Sequence, residues 1–177
     1  MVTEWIITEI DGKIASIAAD YRHFAELAAK VAQLPPTSVD VITTQKVSTD
    51  ELIAMAGSLT WEDFHLFGTK FQLGVWKTLF ELEPRLYSYS EFAALCGNPQ
   101  GVRSVAHAVA INPIAYIFPC HLIIPKESLD KAREIRAVAE STLFKGSDLY
   151  LLDSIDVGEY AYGSETKREL IKRHLKR

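Results

Sequence analysis

A cysteine and a histidine stand side by side within an apolar run, INPIAYIFPCHLIIP, at residues 111–125. Three kinds of chemistry fit the pair Cys120 and His121. A metal site is disfavoured, because no second cysteine lies nearby and the five histidines show no ligand spacing. A buried, inert thiol is common in apolar surroundings. A nucleophile is the third possibility, and it needs a neighbouring base or positive charge to form the thiolate.

The local backbone decides whether His121 can act on Cys120. Neighbouring side chains of a strand point to opposite faces, so the histidine reaches the thiol only if the chain turns there. Pro119 lacks an N–H and favours such a break in a strand. The residues alone therefore leave the inert thiol and the nucleophile both open.

Composition narrows the class of protein. The chain has 177 residues, 48% of them hydrophobic, which suffices for a core, and its two cysteines cannot form a disulfide framework. The first residues are acidic where a signal peptide is basic, and no apolar run has membrane-spanning length, so we expect a soluble cytoplasmic protein without membrane association. The net charge of −4 disfavours nucleic-acid binding, although the last eleven residues carry six Lys or Arg and one Glu.

The hydrophobic pattern predicts an α+β protein. Residues 1–60 read as a small α/β subdomain, with two strands around the turn DGK, a helix and a further strand. Residues 61–177 read as a mostly helical domain, in which Thr69 begins one helix and Ser88 or Ser90 begins another. Two short helices joined by the tight turn CGNP are a helix-turn-helix candidate, although many helical hairpins share this spacing.

Several further motifs give the pair a context. They are GTKFQLGVWKTL, SYSEFAALCGNPQGVRSVAHAVAINP, NPIAYIFPCH and EYAYGSETKRELI. Together they resemble the methylated-DNA–protein-cysteine methyltransferases, the O6-alkylguanine-DNA alkyltransferases, and in particular the C-terminal domains of Ada-type proteins. Order and spacing agree from Gly68 to Lys126 and again from Tyr160 to Ile171. The resemblance implies a winged-helix-like helix-turn-helix in residues 61–177.

The resemblance also implies an activity. Such proteins repair DNA by direct reversal: an alkyl group moves from O6 of guanine to a cysteine once per molecule, without cofactor or metal. O4-alkylthymine is a second candidate substrate, and the implied partner is double-stranded DNA bound by a monomer. The target base must leave the helix stack before a side chain can reach it. Cys120 would be the acceptor, His121 its base through a water, and Asn112 the brace of the turn.

The remaining site residues implied by the resemblance contact DNA or the flipped base. Arg103 would enter the duplex in place of the base, from a helix whose small residues suit a narrow minor groove. Tyr89 would lie at a phosphate and Tyr160 would hydrogen-bond the base. The other implied DNA contacts are Gly101, Val102, Ser104 and Lys167, and the other residues of the base pocket are Ala161 and Pro119.

The sequence departs from the family pattern at four places. Leu122 stands where the family has arginine, His174 where it has an acid, and Ala110 where it has a basic residue. An insertion occupies about residues 126–158. These departures keep a second hypothesis open, namely a non-repairing sensor of alkylated DNA or a helix-turn-helix transcriptional regulator. A third hypothesis, a domain that no longer binds DNA, fits the acidic composition.

Overall fold

A computed structural model gives the structure of residues 1–33, 41–141 and 152–176. The chain divides into a sheet unit, Val2–Glu81 with Ile111–Pro119, and a helical unit, Leu82–Ala110 with Cys120–Arg177 and Met1. The predicted domain boundary at residue 60 lies inside the sheet unit and stays a prediction. None of the helices in the described ranges combines the length and apolar composition needed to cross a membrane.

The sheet unit is built on a three-stranded antiparallel sheet with the order β2-β1-β3. Its strands are β1 (Glu4–Ile10), β2 (Lys13–Ala18) and β3 (Ile42–Ser48), and its first two helices are α1 (Arg22–Val31) and α2 (Thr49–Ala56). Asp11 and Gly12 join β1 to β2 with φ angles of 51° and 75°. Positive φ at both positions is what a tight hairpin turn requires, so the turn predicted at DGK is confirmed.

Helix α3 (Lys70–Phe80) completes the sheet unit and begins where the sequence predicted. The Thr69 hydroxyl accepts a hydrogen bond from the Gln72 N–H at 3.2 Å, and the Gln72 amide oxygen accepts one from the Thr69 N–H at 2.8 Å. This reciprocal pair satisfies two N–H groups that would otherwise have no acceptor at the helix start.

The apolar run around Cys120 contains little regular strand. Within residues 111–119, Ile114 makes a single bridge to Ile17 of β2, and the Phe118 ring packs at 4.9 Å from the Phe64 ring. Regular strand returns only at Ile123–Ile124. The apolar residues of this run are therefore buried by loop packing as well as by strand pairing.

The helical unit contains the two short helices and most of the predicted insertion. Its elements are β4 (Tyr87–Ser88), α4 (Tyr89–Leu95), α5 (Val102–Ala110), a 3-10 helix (Cys120–Leu122), β5 (Ile123–Ile124), α6 (Lys126–Ser141) and α7 (Ser164–Leu175). β4 and β5 pair in parallel. With the sheet unit, these elements confirm the α+β class, whereas the winged-helix detail stays a prediction.

Helices α4 and α5 form the predicted helical hairpin. Ser88 caps the start of α4 in a reciprocal pair with Glu91. The helix ends at Leu95, and two residues later Gly97, with a φ of 70°, lets the Asn98 N–H reach back to the Ala93 carbonyl at 2.9 Å. Gly97 is needed because this left-handed conformation strains other residues, and the turn it makes redirects the chain toward α5.

Leu122 is buried in the core of the helical unit, with 0% of its surface exposed. The buried cluster around it consists of Ile124, Leu129, Ala132, Leu152, Ile155, Val157 and Ile171. Five of these seven lie in the predicted insertion at 126–158. An arginine at position 122 would put a charge into this apolar cluster, so the departure at Leu122 and the insertion belong together.

We expect Leu122→Ala to lower the free energy of unfolding by about 2–5 kcal/mol, because it leaves a cavity in a packed core. Leu122→Arg, which restores the family residue, should cost at least as much. Urea unfolding measures both. The control is Leu95→Ala on α4, whose leucine is 53% exposed and should change stability by less than about 0.5 kcal/mol. Equal losses at the two leucines would contradict this account of the core.

Candidate active site

The 3-10 helix Cys120–Leu122 turns the chain directly after Pro119 and presents the cysteine and histidine. Side chains of a 3-10 helix follow one another at about three residues per turn, so neighbours do not point to opposite sides as they do in a strand. Cys120 is half-buried, whereas His121 is completely buried. The turn that His121 needs in order to act near the thiol is therefore present.

His121 contacts a second histidine on the last turn of α7. Its Nε2 lies 3.3 Å from Nδ1 of His174, and the two ring centroids are 5.2 Å apart. Burial, followed by His174 and Lys167, holds the pKa of His121 well below its usual range. At neutral pH His121 is consequently an uncharged imidazole with one nitrogen able to accept a proton.

Lys167 is an interior residue of the same site. Only 1% of it is exposed, and its Nζ donates a hydrogen bond to the Ile123 carbonyl at 2.8 Å. Burial lowers the pKa of Lys167 from 10.5 to about 8, against the opposite effects of Cys120 and Asp156. The ammonium and a Cys120 thiolate attract each other, so each favours the charged form of the other.

This position differs from the phosphate contact predicted for Lys167. A buried ammonium held by the Ile123 carbonyl does not face a surface along which DNA would run. The phosphate contact stays a prediction, and Cys120 acts electrostatically on this ammonium. The sequence contained a signal for this: Lys167 and His174 are seven residues apart, which puts both on one face of α7.

Two tyrosines complete the surroundings of Cys120. Burial, then Cys120 and Tyr162, raise the pKa of Tyr160 well above its usual range. Burial, then Cys120 and Glu159, raise the pKa of Tyr89. Both hydroxyls therefore keep their protons at neutral pH and can donate hydrogen bonds. In the helical unit, Cys120 thus acts electrostatically on the Lys167 ammonium and on two tyrosine hydroxyls, and His121 follows it directly in the chain.

The residues predicted to contact DNA lie on the outer side of α5 and its preceding turn. Arg103 and Ser104 are exposed, and Gly101 and Val102 are half-buried. A side chain at Gly101 would collide with that of Asn98, so the close turn before α5 requires glycine. Of the remaining residues predicted for the base pocket, Ala161 is exposed, and Pro119 is buried as the last residue of the sheet unit.

Asn112 braces the loop that leads into Cys120. Its Oδ1 accepts a hydrogen bond from the Ile114 N–H at 3.0 Å, and its Nδ2 donates to the Phe118 carbonyl at 2.9 Å and the Ile114 carbonyl at 3.3 Å. The same loop holds Tyr116 at a φ of 68°. Asn112 thus fixes the loop backbone, and its part in catalysis stays a prediction.

Over the described ranges, no group of three or more His, Cys, Asp or Glu side chains is placed to hold a metal ion. A site that works without a metal stays a prediction. The described side chains can carry out acid–base and nucleophilic chemistry. A bond to a substrate would form at the sulfur of Cys120.

The chain is similar in sequence to known proteins. The family model of the 6-O-methylguanine DNA methyltransferase DNA-binding domain matches residues 70–142. A methylated-DNA–protein-cysteine methyltransferase of Mycobacterium tuberculosis is 39% identical over 115 residues, covering 54% of this chain and 68% of that protein. A probable methylated-DNA–protein-cysteine methyltransferase of Acanthamoeba polyphaga mimivirus is 46% identical over 69 residues, or 37% of this chain and 45% of that protein.

A similar fold is found in a solved structure. The crystal structure of the O6-methylguanine-DNA methyltransferase from Pyrococcus kodakaraensis matches with a TM-score of 0.54 and 18% identity, over 97% of this chain and 91% of that one. This likeness concerns the fold. In sequence, the chain spans half or less of several relatives that it matches, with 45%, 49% and 34% of three of them covered.

We expect Asn112→Ala to lower the free energy of unfolding by about 2–3 kcal/mol, since three hydrogen bonds are lost at about 0.5–1.5 kcal/mol each. Asn112→Asp should be at least as damaging, because a carboxylate oxygen would face the Phe118 carbonyl. Urea unfolding provides the measurement. Gln45→Ala, which removes an exposed amide from the same unit, is the matched control. An Asp variant as stable as the wild type would contradict the bracing role.

Proposed function

The chain belongs to the methylated-DNA–protein-cysteine methyltransferase family, and on that premise we propose that it repairs O6-alkylguanine in DNA by accepting the alkyl group on Cys120. The observation that carries the proposal is the set of groups around one half-buried sulfur. The ammonium of Lys167 stabilises a thiolate, and the neutral imidazole of His121 accepts the proton that the thiol gives up.

The proposed transfer is a single displacement. The thiol proton passes to His121 through a water, and the thiolate attacks the alkyl carbon on O6 of guanine. The sulfur–carbon bond forms as the carbon–oxygen bond breaks, and the electron pair leaves on the base. The base takes up one proton from water to become guanine, and the His121 imidazolium returns its proton to water. Tyr160 keeps its own proton and donates a hydrogen bond to the flipped base. The thioether formed at Cys120 is stable, so each molecule reacts once.

Binding of duplex DNA is the other half of the proposal. The exposed side of α5, with Arg103 and Ser104, would enter the minor groove, where the base pattern is degenerate. Such readout suits a protein that searches for damage regardless of sequence. Arg103 would occupy the space left by the flipped base, and Tyr89 would contact its phosphate. We propose that a monomer carries out binding and transfer.

The proposal is tested by incubating the protein with duplex DNA that carries O6-methylguanine and then measuring intact and peptide masses. We expect a gain of one methylene mass, located on the peptide that contains Cys120. The control, Cys120→Ser, should bind the same DNA and show no gain. Salt-sensitive binding without any mass change would support the non-repairing sensor instead. No binding at low salt would contradict both functions.

A second prediction concerns Lys167. Removing an opposite charge so close to the sulfur should reduce the thiolate fraction by about tenfold or more, so Lys167→Met should transfer methyl groups more slowly at neutral pH. Lys167 is charged below its pKa of about 8 and neutral above it. The wild-type rate should consequently decline as the pH rises through that value, and the Met variant should lack this decline. Single-turnover rates against pH measure both effects.

Cys96→Ser is the control for Lys167→Met, because it alters the other cysteine, which the proposed reaction does not use. It should keep the wild-type rate and the wild-type pH profile. A Met variant with the same alkaline decline as the wild type would show that another group titrates there. Circular dichroism of each variant establishes that it is folded.

A further inference from the structure

The proposed base, His121, contacts the imidazole of His174. This contact determines which nitrogen of His121 carries its proton. Nε2 of His121 and Nδ1 of His174 are 3.3 Å apart, which leaves room for one proton between them. His174 reaches the contact from the last turn of α7, the helix that packs against the 3-10 helix. A carboxylate at this position would only accept a hydrogen bond, whereas an imidazole can either accept or donate.

Whether His174 accepts or donates the shared hydrogen bond determines which nitrogen of His121 is basic. If His174 is neutral and accepts at Nδ1, the proton of His121 lies on Nε2, and Nδ1 of His121 is the basic nitrogen. If His174 is protonated, its own Nδ1–H donates to Nε2 of His121. The single proton of a neutral His121 then lies on Nδ1, and the nitrogen that could take up a thiol proton is already occupied.

We propose that His174 is a positioning residue that selects the tautomer of His121 and thereby switches the alkyl-acceptor site off in acid. This inference rests on the proposed function of Cys120. In the active arrangement the thiol proton moves to Nδ1 of His121, while the Nε2–H of the resulting imidazolium stays donated to His174. The two histidines together gain one proton, the one taken from the thiol.

Charged groups of α7 surround the pair. The ammonium of Lys167 lies within electrostatic range of His121. On α7 itself, Lys172 pairs with Asp153 at 3.0 Å and Arg173 pairs with Glu169 at 2.7 Å. These two ion pairs hold cations beside His174 with their charge partly balanced, whereas the Lys167 ammonium donates to a carbonyl.

The experiment compares three substitutions of His174 in single-turnover methyl transfer from about pH 5 to 8, the range in which histidine changes its charge. Asn places an amide oxygen near the position of Nδ1 and does not titrate. Glu supplies a permanent acceptor in this range, and Phe removes the acceptor. The control is His65→Asn in the sheet unit, which should follow the wild-type profile.

We expect the wild-type rate to fall toward acid pH and the His174→Asn rate to persist to lower pH, whereas the His174→Glu carboxylate favours an imidazolium at His121 and should not extend the rate into acid. His174→Phe should be at least about tenfold slower throughout, because His121 is no longer held in its basic tautomer. An Asn variant with the wild-type acid limb would overturn the inference, and so would a Phe variant with the wild-type rate. If the Phe variant does not fold, the Asn and Glu profiles decide alone.

A readout without DNA separates this inference from the proposed function. In protein labelled with nitrogen-15 histidine, imidazole shifts should place the His121 proton on Nε2 at neutral pH and on Nδ1 after acidification. The Asn variant should keep it on Nε2. If wild-type protein shows this change yet never alkylates Cys120, the proposed function fails and the switch stands. If it alkylates Cys120 while the tautomer stays constant, the switch alone is overturned.

Discussion

The contact on which the site depends is the hydrogen bond from the buried Lys167 ammonium to the Ile123 carbonyl. It joins α7 to β5, and so to the 3-10 helix that carries Cys120 and His121. A buried charge is costly unless it is paired and hydrogen-bonded, and the lowered pKa of Lys167 reflects that cost. The carbonyl, Asp156 and a thiolate at Cys120 each reduce it. The protein thereby keeps a cation in its interior, where its attraction for a thiolate is screened little by water.

The core behind this contact explains two departures from the family pattern, namely Leu122 and the insertion at 126–158. Leu122 packs against a cluster whose residues lie largely in the insertion at 126–158. The insertion and the replacement of the family arginine by leucine therefore occur together. The insertion is also tied to the helical hairpin, because Arg133 of α6 binds Glu91 at 2.8 Å while Glu91 caps α4. The inserted helix therefore supports both the nucleophile and the surface proposed to meet DNA.

Much of this arrangement could be predicted from local signals. The Asp-Gly turn, the caps at Thr69 and Ser88, and the break after Pro119 are each determined by a few neighbouring residues, and the structure contains all of them. Burial of Lys167 and the loop course of residues 111–119 could not be predicted this way. Both depend on partners distant in sequence, since the cluster with Phe118 draws on residues more than thirty positions away. An apolar run signals burial, but it does not say whether a strand or a packed loop provides it.

The family resemblance predicted which residues react, but the physical surroundings of two of them depend on this chain. With histidine at position 174, the partner of His121 carries no permanent negative charge to balance an imidazolium. The Lys167 ammonium then mainly balances the charge of a Cys120 thiolate. The contact between His121 and His174 determines where a proton lies. On the proposed mechanism such a site is sensitive to pH in both directions, since acid would change the tautomer of His121 and alkali removes the charge of Lys167. Its working range is therefore set by the two residues of α7 that lie seven positions apart.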